Sequence, residues 1–503
     1  MDTDRLVEQT YAKKVRITIQ DEVRCIISGL LSDHVDLLVY QHAHHVEGYY
    51  FQPKYKLKIW DGKKQFFTEA GRTYVNLLDK IIPTITSLGY KVELNDKRTG
   101  TYVDVDPVDE TYFQHVVDPK TNEPYLIRPY QVDAINQVTT HGNGIVIAGT
   151  GAGKSTINAV LVDIYGKQDL RSITIVPNIT LVEQTVATFN MFGLDVGEYS
   201  GSVKDFDHQH IVSSWQALQN NPKIIHQFQV LVVDECQGAK ASVIGSLINE
   251  YGKDIVHRFG LTGTLPKNTV DLLSIILSIG SVRYTIPAHE LIASGWLAVP
   301  NITVLQLNDE ARLAQLMENN INDPDEKVTY DNEVHFLGHD VLRRQRIADF
   351  IMEKSISTRG NVLCLVTSVS VGKNLKKLMS NSIFLHGKDS QQVRQEVYDT
   401  FETNDNVIVI ATVQIAGVGL SIDRIFNLIY IDGGKSFVRV IQMIGRGLRK
   451  GRDKNSVDVI DICGNLEYSK KHLASRVRYY KESKYKFKKV IYDYAVDHES
   501  IDF

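Results

Sequence analysis

Short runs of four to six apolar, largely β-branched residues recur along this chain, each followed by a polar or glycine-rich turn. They are Gly144–Ala148, Ser172–Val176, Val230–Val233, Asn361–Val366, Val407–Ala411 and Leu428–Ile431. Near-continuous apolarity over such lengths suits strands buried on both faces, and the helical patterns between them supply the covering layers. The chain is therefore predicted to be an α/β protein with two parallel sheets, one over roughly 118–290 and one over roughly 300–465. In such sheets ligands collect beyond the C-terminal ends of the strands, so the turn after each run is where the chemistry is expected.

The 503 residues allow about three domains at roughly 150 residues each. Residues 1–115 alternate short strands (Val15–Ile19, Tyr55–Trp60) with a helical stretch, Tyr74–Ile82, expected to stop at Pro83, and are predicted to form a small α+β domain. The predicted order is that domain, a first sheet domain at 116–290, a second at 300–465 and a basic, aromatic tail at 466–503. Glu93–Pro124 reads as a linker and Ile286–Pro300 as a connector. A net charge of −4 excludes an argument for nucleic-acid binding from overall basicity, so any such contact is local. The four cysteines form no CxxC pair or zinc-spaced cluster, which fits a reducing, cytoplasmic compartment. The polar N-terminus has no signal-peptide core and no run reaches the ~18 apolar residues of a membrane span, so no membrane association is expected.

Ala148-Gly149-Thr150-Gly151-Ala152-Gly153-Lys154-Ser155 follows one apolar strand and opens a helical pattern, Thr156–Ile164. Glycines let backbone N–H groups turn toward phosphates, and the helix N-terminus favours negative charge. Lys154 is expected to neutralise β/γ oxygens and Ser155 to ligate Mg²⁺. Asp234-Glu235 ends another strand, 80 residues after Lys154 (234 − 154). Such a pair suits nucleotide hydrolysis: Asp234 to hold Mg²⁺, Glu235 to orient and deprotonate water. ATP and Mg²⁺ are the expected cofactors.

With these in place, the ordered series of motifs resembles the superfamily 2 helicases. Arg128-Pro129-Tyr130-Gln131 resembles the adenine-reading motif, and Val176-Pro177-Asn178 and Ser213-Ser214-Trp215-Gln216 resemble strand-contacting motifs. Leu261-Thr262-Gly263-Thr264 looks like motif III, which couples the ATP site to the strand. Thr412 through Gly419 to Ser421 looks like motif V, and Gln442-Met443-Ile444-Gly445-Arg446-Gly447-Leu448-Arg449 like motif VI. The resemblance implies two RecA-like motor domains in tandem behind the small N-terminal domain. It assigns Gln442, Arg446 and Arg449 to catalysis, the arginines toward the γ-phosphate, and Arg128, Gln131, Gly149, Thr150, Gly151, Ala152, Gly153, Lys154, Ser155 and Gly419 to the nucleotide. Pro177, Asn178, Ser214, Trp215, Gln216 and Thr412 fall to the nucleic acid. This chain departs from the family's pattern at Gln237, where His or Asp is usual, at Ser421 and at Met443.

Gly48-Tyr49-Tyr50-Phe51-Gln52-Pro53-Lys54 through Trp60-Asp61-Gly62 extends the resemblance to the bacteriophage UvsW-type helicases, over about residues 46–450. That likeness implies a phage enzyme in the host cytoplasm, acting on single-stranded, forked or branched DNA by unwinding, branch migration and reannealing. A monomer is expected, with recombination or replication proteins as possible partners. A duplex translocase, an RNA helicase and a nucleotide-gated clamp share parts of the pattern. ATPase stimulation by matched DNA and RNA substrates discriminates among them.

Two basic stretches stand apart from the motor. Lys470–Lys489 interleaves nine Lys or Arg with Tyr479, Tyr480, Tyr485 and Phe487, suiting either a phosphate-and-base surface or an amphipathic helix packed on the motor. Lys54, Lys56 and Lys58 share one face if their segment is a strand, suiting a duplex contact or a lysine-guarded edge.

Overall fold

The computed structural model describes residues 13–119, 121–201, 203–238, 241–319, 329–357, 360–416, 422, 424–434, 444–445, 447–448 and 454–495. The chain divides into two compact units, the first holding residues 1–148 and 153–285, the second 149–152 and 286–503.

In the first unit, β1 (Lys13–Ile19), β2 (Arg24–Ser28), β5 (Arg72–Tyr74) and β6 (Tyr90–Asp96) form a four-stranded sheet in the order β5-β2-β1-β6. Alternation along β1 turns Val15, Ile17 and Ile19 inward. A separate ribbon pairs β3 (Ala43–His45) with β4 (Lys63–Gln65). The small sheet's core continues into Val270 and Leu277 on the helix Thr269–Ile279. Two sequence expectations fail here. Residues 55–60 form no strand: Pro53–Lys56 is a helical turn, begun by the pre-set φ of Pro53. The helix Leu78–Ser87 runs through Pro83, because the buried stripe of Leu78, Ile81 and Ile85 outweighs one missing hydrogen bond. Among its described residues the stretch after β6 has no helix or strand until Pro129, but it buries Val108 and Phe113.

The large sheet of this unit comprises β7 (Asn143–Ala148), β8 (Ser172–Val176), β9 (Val196–Ser200), β10 (Val203–Lys204), β11 (His210–Ser214), β12 (Val230–Asp234), β13 (His257–Thr262) and β14 (Val282–Ile286). Its order is β10-β9-β11-β8-β12-β13-β7-β14. The second unit has β15 (Val299–Leu307), β16 (Val362–Val366), β17 (Ser382–Leu385), β18 (Ile408–Thr412), β19 (Asn427–Ile431), β20 (Ser456–Gly464) and β21 (Phe487–Tyr492), in the order β17-β18-β16-β19-β20-β15-β21. Numbering six successive strands of each from one, β7, β8, β9, β11, β12, β13 and β15 to β20 both run 3-4-2-5-6-1. The strand order is thus repeated, as two tandem RecA-like domains require. The expected strands agree with these within a residue or two at each end.

The C-terminal segment is no appendage. β21 pairs in parallel with β15, and Tyr479, Tyr480 and Tyr485 are buried. Their rings serve the second unit's core rather than a base-stacking surface, so the second domain extends to at least Tyr494. Buried ion pairs knit it. Arg343 bridges Asp432 through both terminal nitrogens (2.7 and 2.8 Å) and Asp309 through Nε (3.0 Å), while the Tyr494 hydroxyl donates to Asp309 at 2.9 Å. Arg476 Nε donates to Asp461 at 2.8 Å, and Glu333 accepts from the backbone N–H groups of Tyr468 and Ser469, in the first turn of the helix Glu467–Glu482. Among the described residues no helix is long and apolar enough to cross a membrane.

Candidate nucleotide site and nucleic-acid contacts

β7 is buried on both faces, and the chain leaves its C-terminal end through Gly149–Gly153 into the helix Lys154–Gly166. Gly151 and Gly153 have φ of 86° and 75°, a region L side chains rarely occupy. A Cβ on Gly153 would lie 2.3 Å from Gln131 Nε2, so only glycine fits both the turn and that neighbour. The Gln131 amide fastens the loop: Nε2 donates to the Gly153 carbonyl at 3.2 Å, and Oε1 accepts from the Arg128 N–H at 3.0 Å. Behind it the Tyr125 hydroxyl meets Thr156 Oγ1 at 2.8 Å. Ser155 is exposed at the helix start.

β12 ends at Asp234, two strands along from β7. Glu235 comes next with φ of 47°, a left-handed conformation that costs a non-glycine residue on the order of 1–2 kcal/mol. That turn brings the Glu235 N–H within 2.9 Å of Asp234 Oδ1 and Glu235 Oε1 within 3.3 Å of Lys154 Nζ. Lys154 also donates to the Ala148 carbonyl at 3.4 Å. Burial, and secondarily the charge of Glu235, push the Asp234 carboxyl up to about 6, with Lys154 pulling the other way. Two carboxylates against one ammonium leave the site short of positive charge, and a hard divalent cation that keeps waters and phosphate oxygens among its ligands fits that deficit. Asp234 and Ser155, which the sequence singles out for Mg²⁺, are the residues that would hold it.

The departure at Gln237 resolves into a connection. Gln237 Nε2 donates to Glu235 Oε2, while the Thr262 hydroxyl meets Gln237 Oε1. One amide thus spans from the carboxylate beside Lys154 to the end of β13, and Thr264 N–H closes on Thr262 Oγ1 at 3.2 Å. In the sequence Gln237 stands out only as a departure from the family's pattern, and this role is not evident there. An amide, which donates at one end and accepts at the other, is the chemical signal that points to it.

The candidate strand-contacting residues of the first unit lie side by side. Val176, at the end of β8, pairs with Ser214 at the end of β11, so Pro177-Asn178 and Ser214-Trp215-Gln216 leave one sheet edge together. Asn178 Oδ1 caps the helix Ile179–Met191 through the Leu181 N–H at 3.1 Å, and Ser214 Oγ caps Trp215–Asn220. Gln216 is exposed. Trp215 is 5 % exposed and packs in the domain core with Ile211, Leu218 and Phe228. An aromatic ring beside a strand end reads equally as core filler. In the second unit Thr412 ends β18, opposite Val366 of β16, and its side chain is buried. Gly419, Ser421, Gln442, Met443, Arg446 and Arg449 lie outside the described residues.

The family model of the type III restriction enzyme res subunit matches residues 125–267, and that of the helicase conserved C-terminal domain matches residues 343–451. The chain is 24% identical over 484 residues to the ATP-dependent DNA helicase uvsW of Enterobacteria phage T4, covering 88% of this chain and 92% of that protein. It is 21% identical over 409 residues to the DNA 3'-5' helicase XPB of Kineococcus radiotolerans, covering 77% and 67%. The ATP-dependent Type ISP restriction-modification enzyme LlaBIII, solved bound to DNA, superposes with a TM-score of 0.55 at 14% identity over 84% of this chain and 34% of that one, a likeness of fold.

Proposed function

We infer that this chain, which belongs to superfamily 2 of the helicases and is an ATP-dependent DNA helicase, remodels forked or branched DNA by unwinding, branch migration and fork regression. The observation that supports this substrate is the extent of the likeness to the phage uvsW helicase. It covers 88% of the chain and so must include more than the two motor domains. The setting proposed is phage recombination, repair or replication in the host cytoplasm, with the chain acting as a monomer.

In this reading ATP binds over the loop Gly149–Gly153, where Lys154 neutralises phosphate oxygens. Mg²⁺, when bound, supplies positive charge to those oxygens and completes the deficit around Asp234 and Glu235. Glu235 orients the attacking water and takes its proton, and Arg446 and Arg449 serve the γ-phosphate as arginine fingers, a role worth roughly 10³–10⁵ in rate where it has been measured. Gln442 and Gly419 complete the nucleotide contacts. Loss of the γ-phosphate is felt by Glu235 and passes through Gln237 to Thr262.

The test is ATPase stimulation across single-stranded, duplex, forked and four-way DNA with matched RNA. Highest stimulation by forked or four-way DNA, with strand separation lost in Lys154→Ala, is the expected result. Equal stimulation by linear duplex without strand separation would make the enzyme a duplex translocase, and stronger stimulation by RNA would move it to RNA.

A further inference from the structure

Residues 46–62 form a loop between β3 and β4, closed where the Val46 N–H donates to the Gly62 carbonyl at 2.9 Å. Its base is rigid. The Tyr49 ring stands edge-on to His45 and Tyr55, with centroids 4.3 and 4.8 Å apart, and occupies the space where a Cβ on Gly62 would fall. Trp60 Nε1 donates to the Lys63 carbonyl at 2.8 Å. The outward side chains are of another kind. Tyr50, Phe51, Leu57 and Ile59 are 53, 69, 69 and 73 % exposed. Single exposed apolar residues need no explanation, but four within ten positions on a pinned loop mark a surface that something covers.

The charges select the partner. Lys54, Lys56 and Lys58 are exposed on the same loop, and no acidic residue lies between Gly48 and Trp60. A partner must therefore carry negative charge and a flat apolar face together. Duplex DNA offers the first and hides the second, whereas an unpaired strand offers both. We propose that this loop is the strand-parting surface of the enzyme, stacking Phe51, Tyr50 and Ile59 against bases unpaired at a fork while Lys54, Lys56 and Lys58 meet their phosphates. It rests on the forked-DNA reading above. The loop is also wired to the ATP site's own domain. Glu47 accepts from Asn268 Nδ2 at 3.1 Å, and Asn268 Oδ1 caps the helix Thr269–Ile279, which begins five residues after Thr264.

The test uses the full chain with Phe51→Ser and Ile59→Ser together, and a forked duplex carrying 2-aminopurine at the first unpaired position. Both side chains are exposed, so the thermal midpoint should match the parent. Base pairs parted per ATP hydrolysed should fall by about tenfold, in line with the loss of one stacked base, and quenching of 2-aminopurine on binding should disappear. A second variant, Lys54→Gln with Lys56→Gln and Lys58→Gln, should reduce the salt slope of single-strand binding by roughly 0.7 for each phosphate no longer neutralised. Unchanged quenching and unchanged coupling in the serine variant overturn the proposal. So does a variant that loses only sedimentation with anionic vesicles. A parent protein that neither responds to DNA nor opens any fork instead defeats the forked-DNA reading itself.

Discussion

Gln237 occupies a position where a charged or imidazole side chain is usual in the family that this chain resembles, yet its amide makes two contacts that neither would make in the same way. It donates to Glu235 and accepts from Thr262, joining segments 25 residues apart in the chain. Hydrogen bonds to a charged group contribute roughly 1.5–3 kcal/mol. Gln237→Ala should therefore leave DNA-independent hydrolysis within about threefold, while stimulation by DNA falls about tenfold or more; steady-state ATPase with and without single-stranded DNA measures both. Asp234 gives a second residue-level prediction. Its folded value, about 6, lies above the unfolded one, so the nucleotide-free protein binds more protons than the unfolded chain between about pH 4 and 6. That part of its stability is complete below pH 4 and is lost as pH rises through 6. Asp234→Asn should raise the melting temperature of the nucleotide-free protein at pH 7.5 by roughly 2–4 °C while abolishing hydrolysis. A lowered melting temperature in scanning calorimetry at pH 7.5 would contradict this.

The elements show why part of the fold is legible in the sequence. Strands buried on both faces announce themselves as unbroken apolar runs, and Lys154, Asp234 and Glu235 are readable because each comes just after such a run. The Lys-apolar alternation of residues 54–60 misleads, because Leu57 and Ile59 are as exposed as Lys54, Lys56 and Lys58, so the alternation marks no buried face. The tail misleads because Lys488 and Lys489 hide an edge strand. Long-range polar closure leaves no local trace at all. Nothing nearby in the chain marks Asp309, Asp432 and Tyr494 as partners of Arg343, yet these four sew the helix Val341–Ser357 to the ends of β15 and β19. Burial pushes Asp309 up to about 6 even so, against the pull of Arg343. Removing one member of a buried ion pair strands the other, typically at about 3–5 kcal/mol. Arg343→Leu should cost about that much in urea unfolding, and adding Asp309→Asn with Asp432→Asn should return at least half of it, roughly 1.5–2.5 kcal/mol. No recovery in the triple variant would mean that shape, not charge, holds the junction.

At the scale of the molecule, the question is whether the small N-terminal domain is a removable module. Its length and its distance from the ATP motifs suggest independence, but the packing argues otherwise. One hydrophobic cluster contains Val15, Ile17, Phe66 and Ile81 of the small domain together with Val270 and Leu277 of the helix Thr269–Ile279. Polar links run beside it. Arg258, fully buried in β13, donates to the Glu22 carbonyl at 2.8 Å; Asn76 Nδ2 reaches the Ile276 and Leu277 carbonyls, and Lys64 Nζ donates to Ser274 at 2.9 Å. Burial draws the Arg258 guanidinium down to about 10, opposed by the charges of Glu22 and Asp21, so the small domain supplies one acceptor and two carboxylates that favour this buried charge. Removing residues 1–115 should then expose two apolar side chains worth roughly 1.5–3 kcal/mol each and deprive Arg258 of its acceptor. The fragment 116–503 should melt well below the full chain and aggregate. Val270→Ser with Leu277→Gln should restore its solubility without restoring its melting temperature, because those changes address the bare surface and not the lost partner of Arg258. Calorimetry and sedimentation of the fragment, with and without the two substitutions, separate the effects; a fragment that melts with the parent would show the two domains to be energetically independent despite their shared core.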